Sequence, residues 1–443
     1  MKKSLLLLTL VLLKSYTLSA QSYDTLRLMT YNLLYYRITF QQCTNTTNNP
    51  DNKDNYIRTI IDYVNPDILI VQEMGVNPGA FDGPMVAFHN NIYLNRGMTH
   101  MKRANFTRSN NSNIVNACYY NSNKVELHSQ FLLTTGSNNQ NIVRGIDFYR
   151  FYYKHPNLGL PGVDTVFFVC IGMHLKAGGT ASDITQRQHA LEAVMNYIDQ
   201  NIGEENIFIM GDFNMNSSSE AGFQALVNHS NQNIRFYDPI NSLGTWFNNS
   251  TLAFTHTQST RLNQTNNNCF VGGGLDDRYD MILITDPIRT ESRGIRYVSG
   301  SYKIPGNDGL RFKNFITSTS PVPNQSVPPA VLTALYENSD HLPVYLDFTI
   351  VRSNLSVRDS YQKNWKWNAN YTEGTLRLFF SGELPERVNI SITDLTGRIL
   401  IQSDHIMDGS NELAIKTMIP NGIYIVNVNE SGHIRSKKIV VSK

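Results

Sequence analysis

Apolar runs in this chain stop abruptly on polar residues. Residues 207–214 read IFIMGDFN, four apolar residues and a glycine followed by Asp212-Phe213-Asn214. LRLMTYN ends on Asn32, DILIVQE on Glu73 and VFFVCIGMH on His174. A fifth pattern is inverted, with Asp340-His341 opening LPVYLDFTI. Short apolar runs with polar termini read as buried strands whose ends carry functional groups. Five such ends between residues 32 and 341 predict several strands aimed at one pocket.

Helical spacing appears between these runs. Residues 54–65 (NYIRTIIDYV and its flanks) predict a helix just before the strand that ends on Glu73. Residues 182–200 predict another, with Ser182 as cap and Ile184, Ala190, Leu191, Val194, Met195 and Ile198 recurring at helical spacing. Strands alternating with helices, with hairpins elsewhere, predict α/β sheets with helices outside. The Asn-rich tracts 43–55, 109–116 and 263–268, and the Pro/Ser/Thr-rich segment 318–330, read as loops.

The texture changes near residue 350. A polar stretch reads as a linker (351–365), and six short strand patterns follow in 366–443, from TLRLFFS to KKIVVSK, separated by glycine or asparagine turns. They predict a small all-β sandwich without ionisable constellations. At the other end, Lys2 and Lys3 precede LLLLTLVLL and the small-residue exit Leu18-Ser19-Ala20. Residues 1–20 therefore read as a secretory signal peptide, and 21–350 as the catalytic domain. No apolar run is long enough for a transmembrane helix.

Composition narrows the picture modestly. Charged residues make up 17% of 443 and the net charge is +2, which fits a globular protein and excludes a strongly basic nucleic-acid-packing protein. Of the four cysteines (Cys43, Cys118, Cys170, Cys269), Cys170 lies inside an apolar run and reads as a buried thiol. None has metal-ligand spacing, although an exported chain can form disulfides.

The strand ends suggest a chemistry. A carboxylate at the end of a buried strand, as at Glu73, is costly unless it meets a cation, and a hard divalent ion accepts such a ligand. Asp212 and Asn214 are two apart and on extended backbone would point the same way. The acid can then orient or deprotonate a water while the amide holds a phosphoryl oxygen.

TYN, QE, HL, GDFN, RYD and SDHLPV occur here in the order in which they occur in the endonuclease/exonuclease/phosphatase superfamily, and residues 25–350 resemble its deoxyribonuclease I-like branch. The resemblance implies a two-sheet α/β sandwich with the site at the top of both sheets. It implies that Asn32 positions metal or phosphate and that Asp340 is a second metal ligand or holds the histidine loop. It implies that His174 contacts phosphate or protonates the leaving oxygen, and that Arg144 contacts phosphate. It pairs Asp280 with His341, which either stabilises charge on the phosphoryl group or abstracts the water proton. The expected cofactor is Mg²⁺, with Mn²⁺ or Ca²⁺ as alternatives. One departure stands out. The family places a tyrosine and a glutamate before the strand that here reads ACYYNSNKVEL, the glutamate supporting the histidine matched by His174. The residues here are Asn110 to Asn116, without acid or tyrosine.

The C-terminal strands resemble the sorting domains of the type IX secretion system, on ISITDLTGRIL, Asn421-Gly422-Ile423-Tyr424-Ile425-Val426 and the ending Lys437-Lys438-Ile439-Val440-Val441. Together the resemblances imply a secreted, monomeric, metal-dependent phosphodiesterase that meets the secretion machinery through its tail. Extracellular DNA or RNA is the expected substrate. The alternatives are a sphingomyelinase-like lipid phosphodiesterase, with Phe148 to Tyr153 and the turn 158–162 entering a membrane, and a non-catalytic surface-binding protein.

Overall fold

The computed structural model describes residues 22–109, 111–158, 164–352, 365–382, 387–394, 398–407, 409–430 and 433–442. The signal-peptide reading and residues 353–364 of the expected linker lie outside them. The chain divides into two compact units at residue 355.

The strands of the first unit are β1 (Ser22–Tyr36), β2 (Ile68–Gly75), β3 (Met101–Arg103), β4 (Ile114–Asn121), β5 (Val125–Thr135), β6 (Asn141–Tyr153), β7 (Phe167–His174), β8 (Ile207–Asp212), β9 (Phe236–Tyr237), β10 (Asp280–Thr285), β11 (Ile295–Tyr297) and β12 (Val344–Arg352). They form two six-stranded sheets, in the orders β11-β12-β1-β2-β4-β3 and β5-β6-β7-β8-β10-β9. Each sheet contains one parallel pair, β1 with β2 and β7 with β8. A parallel pair needs a crossover, and each crossover carries a helix, Pro50–Val64 and Ala181–Tyr197 respectively. The first unit is thus the expected two-sheet α/β sandwich.

Both helices differ from expectation at their ends. The first begins at Pro50 because the Asn49 side chain accepts from the N–H groups of Asp51 and Asn52, so part of the Asn-rich tract 43–55 is helical. The second is capped by Thr180, not Ser182: Thr180 and Asp183 form a reciprocal capping box, and the α-helix stops at Tyr197 before a π-turn. A further helix, Pro329–Asn338, follows the Pro/Ser/Thr-rich loop.

Strand alternation positions the site. In β7, Phe168 and Cys170 join the core shared by the two sheets, while Val169, Ile171 and Met173 join the core under the Ala181–Tyr197 helix. In β8, Phe208 and Met210 face the first core and Ile207 and Ile209 the second; in β10, Ile282 and Ile284 face the first and Met281 and Leu283 the second. Phe348 of β12, in the other sheet, meets Phe168 and Phe208 at ring-centroid distances of 5.5 and 4.8 Å. The even-numbered positions therefore look toward the partner sheet. Continuing the count brings His174, Asp212 and Asp280 to that same face at one end of the sheet.

Two glycines permit this approach. A Cβ at Gly172 would lie 2.6 Å from Cγ2 of Ile70 in the opposite sheet. Gly211 has φ +136°, and a Cβ there would lie 2.0 Å from the carbonyl oxygen of Met173.

The second unit has seven strands among the described residues. Trp365–Thr372, Thr375–Gly382 and Glu412–Lys416 form one sheet, and Arg387–Asp394, Ile399–Ile406, Gly422–Glu430 and His433–Val441 another. Residues of both sheets, among them Trp367, Leu378, Ile390 and Val426, share one core. The strand Trp365–Thr372 was not expected and begins inside the expected linker; Trp365 and Trp367, alternating with Lys366 and Asn368, bury their rings.

Candidate active site

Glu73 reaches the site by a break in its strand. The pairing of β1 with β2 shifts register between Asn32 and Tyr36, and Glu73 adopts φ +58°. In a regular strand an odd position beside Ile70 would turn away from the partner sheet. The bulge turns the carboxylate back, where it accepts from Asn32 Nδ2 at 3.2 Å and from the Tyr35 N–H at 3.0 Å.

Asn32 bridges two acids. Its Nδ2 donates to Glu73 and also to Asp212 Oδ2, at 3.1 Å, while its amide oxygen accepts the Leu34 N–H at 3.0 Å. Around Asp212 Oδ2 stand Nε2 of His174 at 3.5 Å and Nε2 of His341 at 3.9 Å. The His341 ring is held at its other nitrogen, with Nδ1 2.7 Å from Asp280 Oδ2. Asp340 Oδ2 accepts the Val271 N–H at 3.0 Å, and its Oδ1 is buried without a hydrogen-bond partner among the described residues. The structure thus brings Asn32, Glu73, His174, Asp212, Asp280 and His341 into one buried network, with Asp340 beside it.

Asn214 arrives differently than extended backbone would deliver it. Its φ is +51°, its N–H closes a turn onto Asp212 Oδ1 at 2.9 Å, and its Nδ2 donates to the Leu175 carbonyl at 3.2 Å. Arg144, on β6, donates through Nε to the His174 carbonyl at 2.9 Å and through a terminal nitrogen to the Leu175 carbonyl. It is close enough for its charge to act on Glu73 and Asp212.

Burial and crowding set the protonation of the site. Burial holds Asp212 above the ordinary carboxylate range, and the neighbouring Asp280 and Glu73 charges add to this. Burial likewise raises Glu73, with the charge of Asp340 reinforcing it. Burial alone would lower His341, but the charge and hydrogen bond of Asp280, with the charges of Asp212 and Asp340, hold it well above the usual histidine value. His174 is the opposite case: burial, the Arg144 charge and the His341 charge push it well below that value. Its Nδ1 is buried without a partner among the described residues. In β4, Asn116 donates to Asp147 and to the carbonyls of Gly145 and Gly172, and not to His174.

The acids suit a hard cation. Glu73, Asp212, Asp280 and Asp340 are all buried, and Asp280 Oδ1, like Asp340 Oδ1, has no hydrogen-bond partner among the described residues. Ligand atoms of Asp212, Asp280 and His341 lie within 4.8 Å of one another, a grouping able to receive an ion.

Two features were not anticipated. Cys43 and Cys269 form a disulfide and pack with Leu34 and Phe270, next to the segments that supply the Leu34, Tyr35 and Val271 N–H groups; Cys118 and Cys170 remain buried thiols. Gln258 touches His341 from a segment without apolar periodicity, so no sequence pattern marked it.

Two sheets that converge on buried acids and a histidine–aspartate pair define a hydrolase of phosphoric esters. The chain belongs to the endonuclease/exonuclease/phosphatase family, whose family model matches residues 29–365. Residues 370–442 match the secretion system C-terminal sorting domain, so the protein is secreted through the type IX route to the outer surface or the medium. Similar solved structures include an endonuclease/exonuclease/phosphatase from Bacteroides vulgatus (15% identity, 74% of this chain and 99% of that chain, TM-score 0.46). They also include D. rerio TDP2 complexed with single-strand DNA product (11%, 73% and 99%, 0.43) and the human Nocturnin catalytic domain with bound sulfate (12%, 75% and 98%, 0.42). No curated protein matches the chain. No helix among the described residues is long and apolar enough to cross a membrane.

Proposed function

We propose that the protein is an exported, divalent-metal-dependent phosphodiesterase acting on extracellular nucleic acid. The observation that carries this reading is Asp212 Oδ2, set among Asn32, His174 and His341 at the meeting of two sheets. Asp212 is the group that orients a water or takes its proton for in-line attack on phosphorus. Asn214, His174 and Arg144 line the side from which phosphoryl oxygens approach. His341, oriented by Asp280, sets its positive charge beside the charge that develops there.

Glu73 and Asp340 are the residues we assign to a Mg²⁺ ion, with Asn32 keeping Glu73 apart from Asp212. Asp280 Oδ2 already serves His341, which makes the Asp212–Asp280–His341 grouping the weaker holder. When bound, the ion supplies charge neutralisation and polarisation of the phosphate.

The groups are assigned to phosphate, metal and water and none to a base or a lipid tail, which favours a polymer read by its backbone. The lipid alternative loses one support, because Phe148, Tyr149, Phe151 and Tyr153 are core residues of β6. The test is a panel of plasmid DNA, RNA, sphingomyelin vesicles and inositol phosphates, each with Mg²⁺, Mn²⁺, Ca²⁺ or a chelator. Cleavage of DNA or RNA that the chelator abolishes is expected. Turnover of vesicles alone would move the substrate class, and hydrolysis of nothing would make the protein a binding module.

A further inference from the structure

We propose that Gln258 is the residue that sets the orientation of His341 and keeps it off Asp212; this rests on the active site described under the proposed function. The segment Thr257–Gln258 lies between the start of β10 and the approach to β12, which belong to different sheets. On one side, the N–H groups of Thr257 and Gln258 donate to the Asp277 carbonyl at 2.7 and 3.1 Å, and Thr257 Oγ1 accepts the Asp280 N–H at 3.0 Å. On the other, the Leu342 N–H donates to the Thr257 carbonyl at 2.8 Å. Two residues therefore tie the backbone that carries Asp280 to the backbone that carries His341.

The Gln258 side chain completes the arrangement. Its Nε2 lies 2.6 Å from His341 Nε2, the ring nitrogen that Asp280 does not hold. A carboxamide serves either form of that nitrogen, since its oxygen accepts from an N–H and its NH₂ donates to a lone pair. With both ring nitrogens engaged, the imidazole cannot flip about its Cβ–Cγ bond without losing two hydrogen bonds. Asp212 Oδ2 faces the same Nε2 from 3.9 Å. Without Gln258, the imidazole would turn that nitrogen to Asp212 and shorten the 3.9 Å approach to a hydrogen bond, which would occupy the carboxylate needed for water. Gln258 is thus a positioning residue. It acts through His341 and spares Asp212 a further hydrogen bond.

The discriminating variants are Gln258→Ala, which removes the contact, and Gln258→Glu, which has nearly the same shape and keeps an acceptor oxygen. On a phosphodiester that the parent cleaves, Gln258→Ala should lose kcat by about 100-fold with KM within about 3-fold. Gln258→Glu should recover most of kcat with a higher KM, because its charge opposes the phosphate. ¹⁵N spectra of the histidine rings, with His341 assigned through His341→Gln, should show the Nε2 resonance displaced in Gln258→Ala and near its parent position in Gln258→Glu. An unchanged His341 resonance in Gln258→Ala overturns the proposal. So does equal loss of kcat in both variants, or kcat in Gln258→Ala within about 3-fold of the parent. If the parent cleaves no phosphodiester, the proposed function has failed, and the ring spectra still decide the role of Gln258.

Discussion

The site works through a small number of atoms whose removal should have unequal effects. Asp212 is the one acid that contacts Asn32 and stands near both histidines. Asp212→Asn is therefore expected to lower kcat by about three orders of magnitude or more without unfolding the protein. Asp280→Asn, which weakens the hold on His341 and leaves the Asp212 carboxylate in place, should lose less. Steady-state kinetics with a circular dichroism control checks both, and near-parent turnover by Asp212→Asn would remove the assignment. A second acid is expected to govern stability instead of turnover. Burial pushes the Asp147 carboxyl up from 3.8 to about 7, against the opposing hydrogen bonds from Thr107 and Asn116. Between those values the folded protein keeps a proton that the unfolded chain has released, so stability falls as pH rises from about 4 to about 7. Asp147→Asn should flatten that slope and raise Tm at pH 7.5 by a few degrees. Thermal melts from pH 4 to 8 measure it, and superimposable profiles for mutant and parent would contradict the account. Much of this residue-level picture was legible from strand ends, because an acid or histidine that stops an apolar run is visible locally. Gln258 was not, because its importance comes from lying between two strand starts that are distant in the sequence.

At the level of the element, strand parity does the placing. His174, Asp212 and Asp280 share a face because each sits an even step from residues that fill the inter-sheet core. The alternation of apolar positions was readable, but which of two buried faces was the inner one was not, since β7, β8 and β10 are apolar on both. Glu73 defeats simple parity altogether: a bulge with a left-handed residue turns it, and nothing in DILIVQE announces one. The close approach of the sheets yields a further prediction. Gly172→Ala places a methyl 2.6 Å from Ile70 Cγ2. It should cost about 1–3 kcal/mol of stability and lower activity, because β2 carries Glu73 three residues beyond Ile70. Denaturant titration with parallel kinetics would test this, and an unaltered midpoint would show that the sheets yield without cost.

At the level of the whole molecule, the fold class and the tail domain were readable from motif order, whereas the cysteine pairing was not. Cys43 and Cys269 are 226 residues apart, and only the folded chain brings them together. Closing so long a loop removes unfolded-state entropy worth up to about 5 kcal/mol by the chain-entropy model. Reduction, or Cys43→Ser with Cys269→Ser, should therefore lower Tm clearly, and calorimetry with and without reductant would reveal a bond of no consequence if the two traces coincide. Both sheets supply atoms of the proposed site: Glu73 and His341 come from the first and its approach, His174, Asp212 and Asp280 from the second. Neither layer by itself holds the whole set, since Asp280 and the His341 it orients arrive from different sheets. Hydrolysis is thus expected to need both layers, and its disappearance in urea should coincide with collapse of the inter-sheet packing. A chain whose two layers have not met is thus chemically mute, and turnover becomes a gauge of whether they are joined.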